Sequence, residues 1–280
     1  MISAEFIQFH QPVLERDEIR HGLVLGILAR AVETRSTDVT GWTLGGSGAC
    51  AIKWGRHSIV LGALDKAGCR RLAEATADIG YPGVVGSDLT ALWFRDRARE
   101  LGLDFDEPDE QEIHAIQTRP AYPGATGHAR QVAAADADLF ADWLMAFYRE
   151  AVPRDPVPPR DELKRSAGDG NFLFWIDNER PVSMAGIVRR LKNAAAITGV
   201  YTPPERRGRG YAGSVTAAAV EQIHREGRGT ALLYVDTRNP FSNRCYRKIG
   251  FARYCGALHF HRRDRSIPID PIGDQDTGAV

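Results

Sequence analysis

The chain has 280 residues, of which 43% are apolar and 26% charged, a composition typical of a globular protein and not of a disordered or fibrous one. Its 36 Lys and Arg residues balance its 36 Asp and Glu residues, so no net field draws it onto nucleic acid or anionic lipid. The longest apolar stretch, residues 22–32, contains Arg30 and is too short to span a bilayer. The composition therefore predicts a protein without nucleic-acid or membrane partners.

The cysteines form no CxxC pair, and no secretory leader pattern precedes them. This usage predicts a reducing, cytoplasmic location. Two cysteines and two histidines near the C-terminus could be imagined as zinc ligands, but the nine-residue gap between the cysteines matches no usual finger or ribbon. We therefore expect no metal. The residues concerned are Cys50, Cys69, Cys245, Cys255, His259 and His261.

In chain order, the first part of the sequence is predicted to be mixed α/β. Its apolar periodicity predicts a helix at 15–34, strands at 49–54 and 58–64, and a helix at 66–79. The GGSG segment at 45–48 lacks the Lys-Ser/Thr that follows a phosphate loop, so it predicts a hairpin turn. No function can be assigned to this part from its residues.

The segment TRPAYPGATGHAR is rich in proline and glycine and has few apolar groups, which is the composition of a linker. We place a linker at 119–130, between an N-terminal domain at 1–118 and a C-terminal domain at 131–262. The residues at 263–280 carry prolines and aspartates without apolar periodicity, and we expect a flexible tail there.

The C-terminal part has a regular pattern. Leu139, Trp143 and Phe147 recur every four positions, which predicts an amphipathic helix at 138–150 with Asp136 as its N-cap. The pattern then predicts a three-strand meander, a helix, a strand, a helix and a strand. Their predicted ranges are 171–176, 181–188, 194–202, 211–225, 231–236, 240–249 and 252–260.

The segment VYTPPERRGRGYA joins a predicted strand to a predicted helix through a loop of arginines and glycines. Unpaired backbone N–H groups and the dipole at a helix N-terminus form an anion site, and glycine lets a pyrophosphate approach the backbone. Arg207 and Arg209 add positive charge to this loop. A tight turn that binds nothing is the alternative if the loop is considered alone.

The same loop contains a competing pattern. Gly208, Gly210 and Gly213 satisfy GxGxxG, and Asp236 ends the next predicted strand, as in a dinucleotide-binding site. That fingerprint needs its first glycine almost directly after the strand, whereas PPERR intervenes here. The polar segment NPFSNRCY after Asp236 also stays unexplained. A NAD(P)-dependent oxidoreductase is therefore kept as a less favoured alternative.

Two motifs resemble those of the GNAT N-acyltransferase superfamily. Arg207-x-x-Gly210-x-Ala212 resembles its Arg/Gln-x-x-Gly-x-Gly/Ala loop, and NPFSNRCYRKIGF resembles its second conserved segment. The resemblance covers about residues 130–261 and implies a mixed, mostly antiparallel sheet flanked by helices. The N-terminal part is similar to the degenerate GNAT domain of some bacterial two-domain members, through VVGS at 84–87, Phe94 and the position of the linker. Two tandem GNAT-like domains are expected.

The resemblance implies a role for each part of the motifs. The loop would bind the pyrophosphate of acetyl-CoA, and the preceding strand would pair with the pantetheine arm and, through a bulge, direct a backbone N–H at the thioester carbonyl. The loop residues implied are Arg207, Gly208, Arg209, Gly210, Tyr211 and Ala212. The strand residues implied are Val200, Tyr201 and Thr202, with Val200 as the catalytic N–H donor.

Tyr246 is, by the same resemblance, the acid that protonates the departing thiolate, and Asn239 and Asn243 would bond the cofactor arm. The spacing of four and three residues places these three side chains along one face of the short predicted helix. Packing of the tyrosine and helix capping by the asparagines are the alternatives.

The general base stays open. Many relatives carry a glutamate on the strand before the loop, whereas this chain has AAAI at 194–197, which favours a water relay. Tyr201, Glu150 and His259 are further candidates.

The resemblance implies an acyl-CoA-dependent N-acetyltransferase that lets a primary amine attack acetyl-CoA directly in a ternary complex. The acceptor would be a small amine or a protein N-terminus, and the protein a monomer or homodimer. A non-catalytic CoA-binding or structural two-domain module is the alternative from a different class.

Overall fold

The structure is a computed structural model, and it describes residues 2–46, 48–154 and 157–263. The described helices are α1 (Ala4–Leu14), α2 (Glu18–Thr34), α3 (Lys66–Ala75), α4 (Asp88–Glu100), α5 (Ala137–Ala151), α6 (Arg160–Arg165), α7 (Tyr211–Arg225) and α8 (Pro240–Ile249). The described strands are β1 (Val39–Thr43), β2 (Cys50–Trp54), β3 (Ile59–Leu61), β4 (Gly83–Ser87), β5 (Asp109–Ile116), β6 (His128–Gln131), β7 (Phe172–Asp177), β8 (Arg180–Val188), β9 (Ala194–Tyr201), β10 (Thr230–Asp236) and β11 (Ala252–His261).

The chain folds into two compact units that interleave in sequence. The described part of the first unit comprises residues 2–46, 48–114, 234–239 and 253–263, and that of the second comprises residues 115–154, 157–233 and 240–252. Among the helices described, none is long and apolar enough to cross a membrane.

The first unit contains strands in the order β1-β2-β3-β4-β11. β3 and β4 are parallel, and the other neighbours are antiparallel. Gly45, Gly46 and Gly48 of the GGSG segment lie between the antiparallel strands β1 and β2, where Thr43 pairs with Cys50, so the predicted hairpin is confirmed. Large side chains that are fully buried, among them Ile59, Leu72 and Phe94, form its core.

The second unit contains strands in the order β10-β9-β8-β7-β6. All neighbours are antiparallel except β9 and β10, which are parallel and joined by the crossover helix α7. Both α5 and α7 pack against β9. The second unit is thus a mixed, mostly antiparallel sheet with helices packed on it, which confirms the predicted fold class.

The β7–β8 connection is a two-residue hairpin. Asn178 and Glu179 have φ angles of 48° and 59°, so both are left-handed, as a type I′ turn requires. Such a turn matches the twist of the flanking strands. The predicted hairpin between 171–176 and 181–188 is therefore confirmed, with its turn shortened to these two residues.

Several predicted elements differ from those observed. The helix predicted at 15–34 is observed as α2, which starts only at Glu18 because residues Glu15–Asp17 form a 3-10 turn. The helix α1 before this turn was not predicted. The buried stripe of α5 runs through Phe140, Leu144 and Tyr148, one residue later than predicted. Asp136 does not cap α5 with its side chain, which instead accepts hydrogen bonds from Arg130 and the Ala133 N–H.

The structure assigns the C-terminal strand, β11, to a different unit from the one predicted from the sequence. All of β11 except Ala252 belongs to the first unit, where residues Ala257 to His261 pair with β4, whereas the sequence groups this strand with 131–262. The end of the predicted linker forms β6, which pairs with β7. Apart from Arg263, the predicted tail at 263–280 lies outside the described residues.

Candidate active site

β9 carries a bulge immediately before the loop. Met184 of β8 pairs with Tyr201, but Gly186 pairs with Thr198, so two steps on β8 oppose three on β9. Gly199 lies in this bulge with a φ of 59°, in the left-handed region that favours glycine. A bulge takes one residue out of the regular ladder and re-aims its backbone. Val200, half-buried, is the next residue.

A buried serine fixes the end of β9. The Ser183 hydroxyl on β8 donates to the Tyr201 carbonyl over 2.9 Å and lies 2.8 Å from the Thr202 hydroxyl. Ser183 is fully buried, so these bonds satisfy its polar group without water. Pro203 and Pro204 then end the strand. The bulge and the loop are thus held by side chains of the neighbouring strand.

The loop opens α7 with two left-handed glycines. Gly208 and Gly210 have φ angles of 78° and 84°, and Gly210 is the N-cap residue. A Cβ on Gly208 would meet no atom within 4 Å, so the backbone there is open to a ligand. Because Gly210 has no side chain, no N-cap side chain covers the N–H groups of the first turn. This geometry, at the end of a 15-residue helix, suits a phosphate.

Arg207 braces the loop against α5 and β9. Its Nε donates to the Thr202 carbonyl over 2.9 Å, and its guanidinium donates to the Glu150 carboxylate over 2.6 Å. The same guanidinium lies 5.9 Å from the centre of the Tyr201 ring, within range of a cation–π contact. The structure therefore gives Arg207 a positioning role within the loop and brings Glu150 and Tyr201 beside it.

A second carboxylate, that of Asp177, contacts the first residue of α7. The Tyr211 hydroxyl donates to Asp177 at the end of β7 over 2.6 Å, and Thr126 donates to the same carboxylate. Hydrogen bonds from Tyr211 and then Thr126 lower the pKa of Asp177, with the Arg206 charge as a further cause. The Asp177 bond in turn raises the pKa of Tyr211. This network ties the start of α7 to the β7–β8 hairpin.

Residues 121–125 pack on the start of α7. Ala125 N–H donates to the Ser214 hydroxyl over 2.7 Å, and the Tyr122 hydroxyl donates to the Gly210 carbonyl over 3.2 Å. A Cβ on Gly213 would come within 2.3 Å of the Tyr122 ring, so only glycine fits there. Gly213, the third glycine of the GxGxxG pattern, is therefore explained by packing.

The rest of the dinucleotide pattern is also explained without a dinucleotide. Asp236 accepts from the Arg238 N–H over 2.8 Å and from its side chain over 3.1 Å, which closes a turn before α8. The strands next to β9 on the β8 side are antiparallel, whereas a dinucleotide-binding sheet is mostly parallel.

Tyr246 lies on α8, which packs against α7. It is half-buried, its ring centre is 6.0 Å from that of Phe251, and burial raises its pKa. Asn243 lies three residues earlier, about one helical turn away, and is also half-buried. Asn239 precedes the helix and groups with the first unit, where its N–H donates to the Asp236 carbonyl over 3.0 Å.

The candidate bases have different surroundings. Tyr201 is buried, and burial raises its pKa, so it keeps its proton at neutral pH. Glu150 is ion-paired with Arg207. The His259 Nε2 lies 2.8 Å from the Ser58 hydroxyl in the first unit. Glu150 and Arg207 are 57 positions apart in the chain, so no sequence pattern predicts that they form an ion pair.

Comparison with known proteins places these elements in a family. Residues 137–251 match the family described as Acetyltransferase (GNAT) family. This range contains the bulged β9, the glycine loop, α7 and α8. That part of the chain is a GNAT acetyltransferase domain. No curated protein matches the sequence.

Solved structures resemble nearly the whole chain. A Drosophila melanogaster protein has a TM-score of 0.68 at 13% identity, covering 95% of this chain and 98% of its own. A GNAT-family acetyltransferase from Colwellia psychrerythraea has a TM-score of 0.59 at 10% identity, with 94% and 98% covered. A GCN5-related N-acetyltransferase from Kribbella flavida has a TM-score of 0.55 at 19% identity, with 87% and 95% covered. At these identities the likeness shows the fold.

Proposed function

We propose that this protein is an acetyl-CoA-dependent N-acetyltransferase acting on a primary amine. The observation that carries the proposal is the glycine loop opening α7 directly after a bulged strand, inside the range that matches the GNAT family. The loop offers open backbone at Gly208 and a helix N-terminus for the pyrophosphate. Asn239, Asn243 and the residues at 207–212 are proposed to bind the cofactor arm and pyrophosphate.

The residues support a direct transfer. The amine nitrogen attacks the thioester carbonyl carbon, and a backbone N–H at Val200 stabilises the developing oxyanion. The C–S bond then breaks, and the sulfur takes a proton from the Tyr246 hydroxyl, which burial keeps protonated at neutral pH. The amine proton leaves through water, because AAAI at 194–197 offers no carboxylate. The water returns a proton to Tyr246 after release.

The acceptor is proposed to be a small amine or a protein N-terminus, and the setting the cytoplasm. Neutral net charge argues against a polyanionic partner. The N-terminal unit is proposed to be a degenerate GNAT-like domain, supported by neighbours that cover up to 95% of the chain.

A cofactor panel tests the proposal. A ligand that binds only the native state stabilises it by RT ln(1 + [L]/Kd), about 2.7 kcal/mol at a hundredfold excess over Kd. Acetyl-CoA should therefore raise the melting temperature by several degrees, whereas NAD and NADP should not. Stabilisation by NAD alone would overturn the assignment.

Activity distinguishes an enzyme from a non-catalytic module. Thiol release from acetyl-CoA, followed with a thiol reagent over a panel of amino acids, polyamines and peptide N-termini, should exceed the amine-free rate for at least one acceptor. CoA binding without acceptor-dependent thiol release would favour the non-catalytic CoA-binding module instead.

A further inference from the structure

A group of metal-ligating side chains lies outside the proposed active site, in the first unit. Asp109, His259 and His261 each offer one ligand atom, and these atoms all lie within 4.8 Å of one another. The His261 Nε2 and the Asp109 Oδ2 are 2.8 Å apart, and the two imidazole centres are 4.0 Å apart. We propose that these three side chains bind a divalent transition-metal ion of the zinc class.

Strand geometry makes the two histidines a pair. Residues i and i+2 of a strand point to the same face, so His259 and His261 project together from β11. The ladder with β4 pairs His259 with Val85 and His261 with Gly83. A Cβ on Gly83 would lie 2.3 Å from the Phe260 carbonyl oxygen, so only glycine lets β4 approach β11 this closely. The ladder with β4 therefore fixes the backbone positions of both histidines.

The donor set suits the proposed ion. Zinc binds imidazole nitrogen at about 2.0–2.1 Å and carboxylate oxygen at about 2.0–2.2 Å, which puts tetrahedral ligands about 3.3 Å apart. The Asp109 and His261 ligand atoms are 2.8 Å apart, and all three ligand atoms lie within 4.8 Å of one another, so side-chain rotation can bring them around one ion. Two imidazoles and a carboxylate are a set that zinc and related ions share, with the remaining position open to water.

The surroundings can support such a site. The Ser58 hydroxyl lies 2.8 Å from His259 Nε2, so it orients that ring when Nδ1 faces the metal. The side chains of His261 and Asp109 are 16% and 25% exposed, which gives an ion a path from solvent. The Arg238 guanidinium lies 3.7 Å from the Asp109 carboxylate and competes with a metal ion for it. This ion pair is weaker than a direct metal–carboxylate bond. The sequence argument against zinc included His259 and His261 but rested on the spacing of Cys245 and Cys255, and neither cysteine belongs to this group.

Calorimetry of the full chain tests the proposal. The protein carries no tag, and any bound metal is first removed with a chelator. Zinc titrated into the parent should bind at one ion per chain, and Asp109→Asn and His261→Ala should each weaken its affinity at least about tenfold. His128→Ala, which removes an exposed histidine of the second unit, is the matched control and should bind zinc like the parent. Asp109→Asn keeps the side-chain volume and decides the test if His261→Ala does not fold.

Cobalt gives an independent signature. Co²⁺ bound to imidazole and carboxylate should show visible absorption without the charge-transfer band of a thiolate ligand, and Asp109→Asn should lose the signal. No zinc binding by the parent at micromolar concentration, or equal binding by the parent and both site variants, would overturn the proposal. A thiolate band, or loss of binding only in the His128 variant, would also overturn it.

Discussion

Tyr246 is a residue whose packing and proposed chemistry can be separated. Its ring packs edge-on to Phe251 at 6.0 Å between centres, and this contact does not involve the hydroxyl. Burial raises its pKa, so the hydroxyl holds its proton across the neutral range and can supply it to a departing thiolate. Removing the oxygen alone therefore tests the chemistry while the packing remains.

Tyr246→Phe should lower kcat by about 10²–10⁴ while leaving the Kd for acetyl-CoA nearly unchanged, because general acid help acts only in the transition state. Steady-state kinetics and calorimetry measure the two effects separately. Tyr254→Phe, which removes a hydroxyl bonded to Asp17 in the first unit, is the matched control and should retain kcat. An undiminished kcat in Tyr246→Phe would assign the acid elsewhere.

At the scale of secondary structure, α7 is flanked at each end by a glycine with a positive φ angle. Gly210 at its N-cap has a φ of 84°, and Gly227 beyond its C-terminus has a φ of 83°. A side chain at either position therefore meets similar backbone strain, about 1–2 kcal/mol in the left-handed region. Only the Gly210 end carries the positive pole of the helix dipole and the uncapped N–H groups.

Gly210→Val should weaken acetyl-CoA binding at least about tenfold, because the side chain blocks backbone approach at the anion end of α7. Gly227→Val should lose stability through the same backbone strain, without the 3.2 Å approach to the Tyr122 hydroxyl that a Cβ on Gly210 makes, and should bind acetyl-CoA like the parent. Melting temperatures measure the loss of stability, and calorimetry measures the affinity for acetyl-CoA. Equal affinities in the two variants would show that the loop does not bind the pyrophosphate.

Some elements were predictable and others were not, for identifiable reasons. The bounds of α7 and α8 match the ranges predicted, because prolines and glycines punctuate their apolar patterns. α1 was missed because Pro12 lies inside it, where proline normally ends a helix. β6 was assigned to the linker because its HARQ sequence has no apolar alternation, and only pairing with β7 makes it a strand.

The candidate site was predictable in its contiguous parts alone. The loop and the α8 motif each lie within one short segment, so their residues could be named from the sequence. The contacts that hold them come from distant positions: Ser183 fixes the end of β9, Glu150 pairs with Arg207, and Tyr122 packs on Gly213. Such contacts depend on strand order and helix packing, which no local pattern encodes.

For the whole molecule, the two units differ in how a strand leads into a helix. In the second unit, a loop with Gly208 and Gly210 separates β9 from α7. In the first unit, β4 ends at Ser87 and α4 begins at Asp88 without a loop. The Asp88 carboxylate accepts a hydrogen bond from the Leu89 N–H over 2.9 Å, so negative charge already lies in the first turn. That charge disfavours a second phosphate site there.

The chain should therefore bind one acetyl-CoA, with none held by the first unit. Calorimetry of the parent should give a stoichiometry of one, and Gly210→Val should remove this single binding event without exposing another. The reason is chemical, since α4 offers a carboxylate and a serine N-cap where α7 offers two left-handed glycines and three nearby arginines. A stoichiometry of two in the parent, or a residual site of unchanged affinity in Gly210→Val, would show that the first unit binds the cofactor itself. Gly227→Val, with a stoichiometry and affinity equal to the parent, would confirm that strain at the ends of α7 does not by itself remove the site.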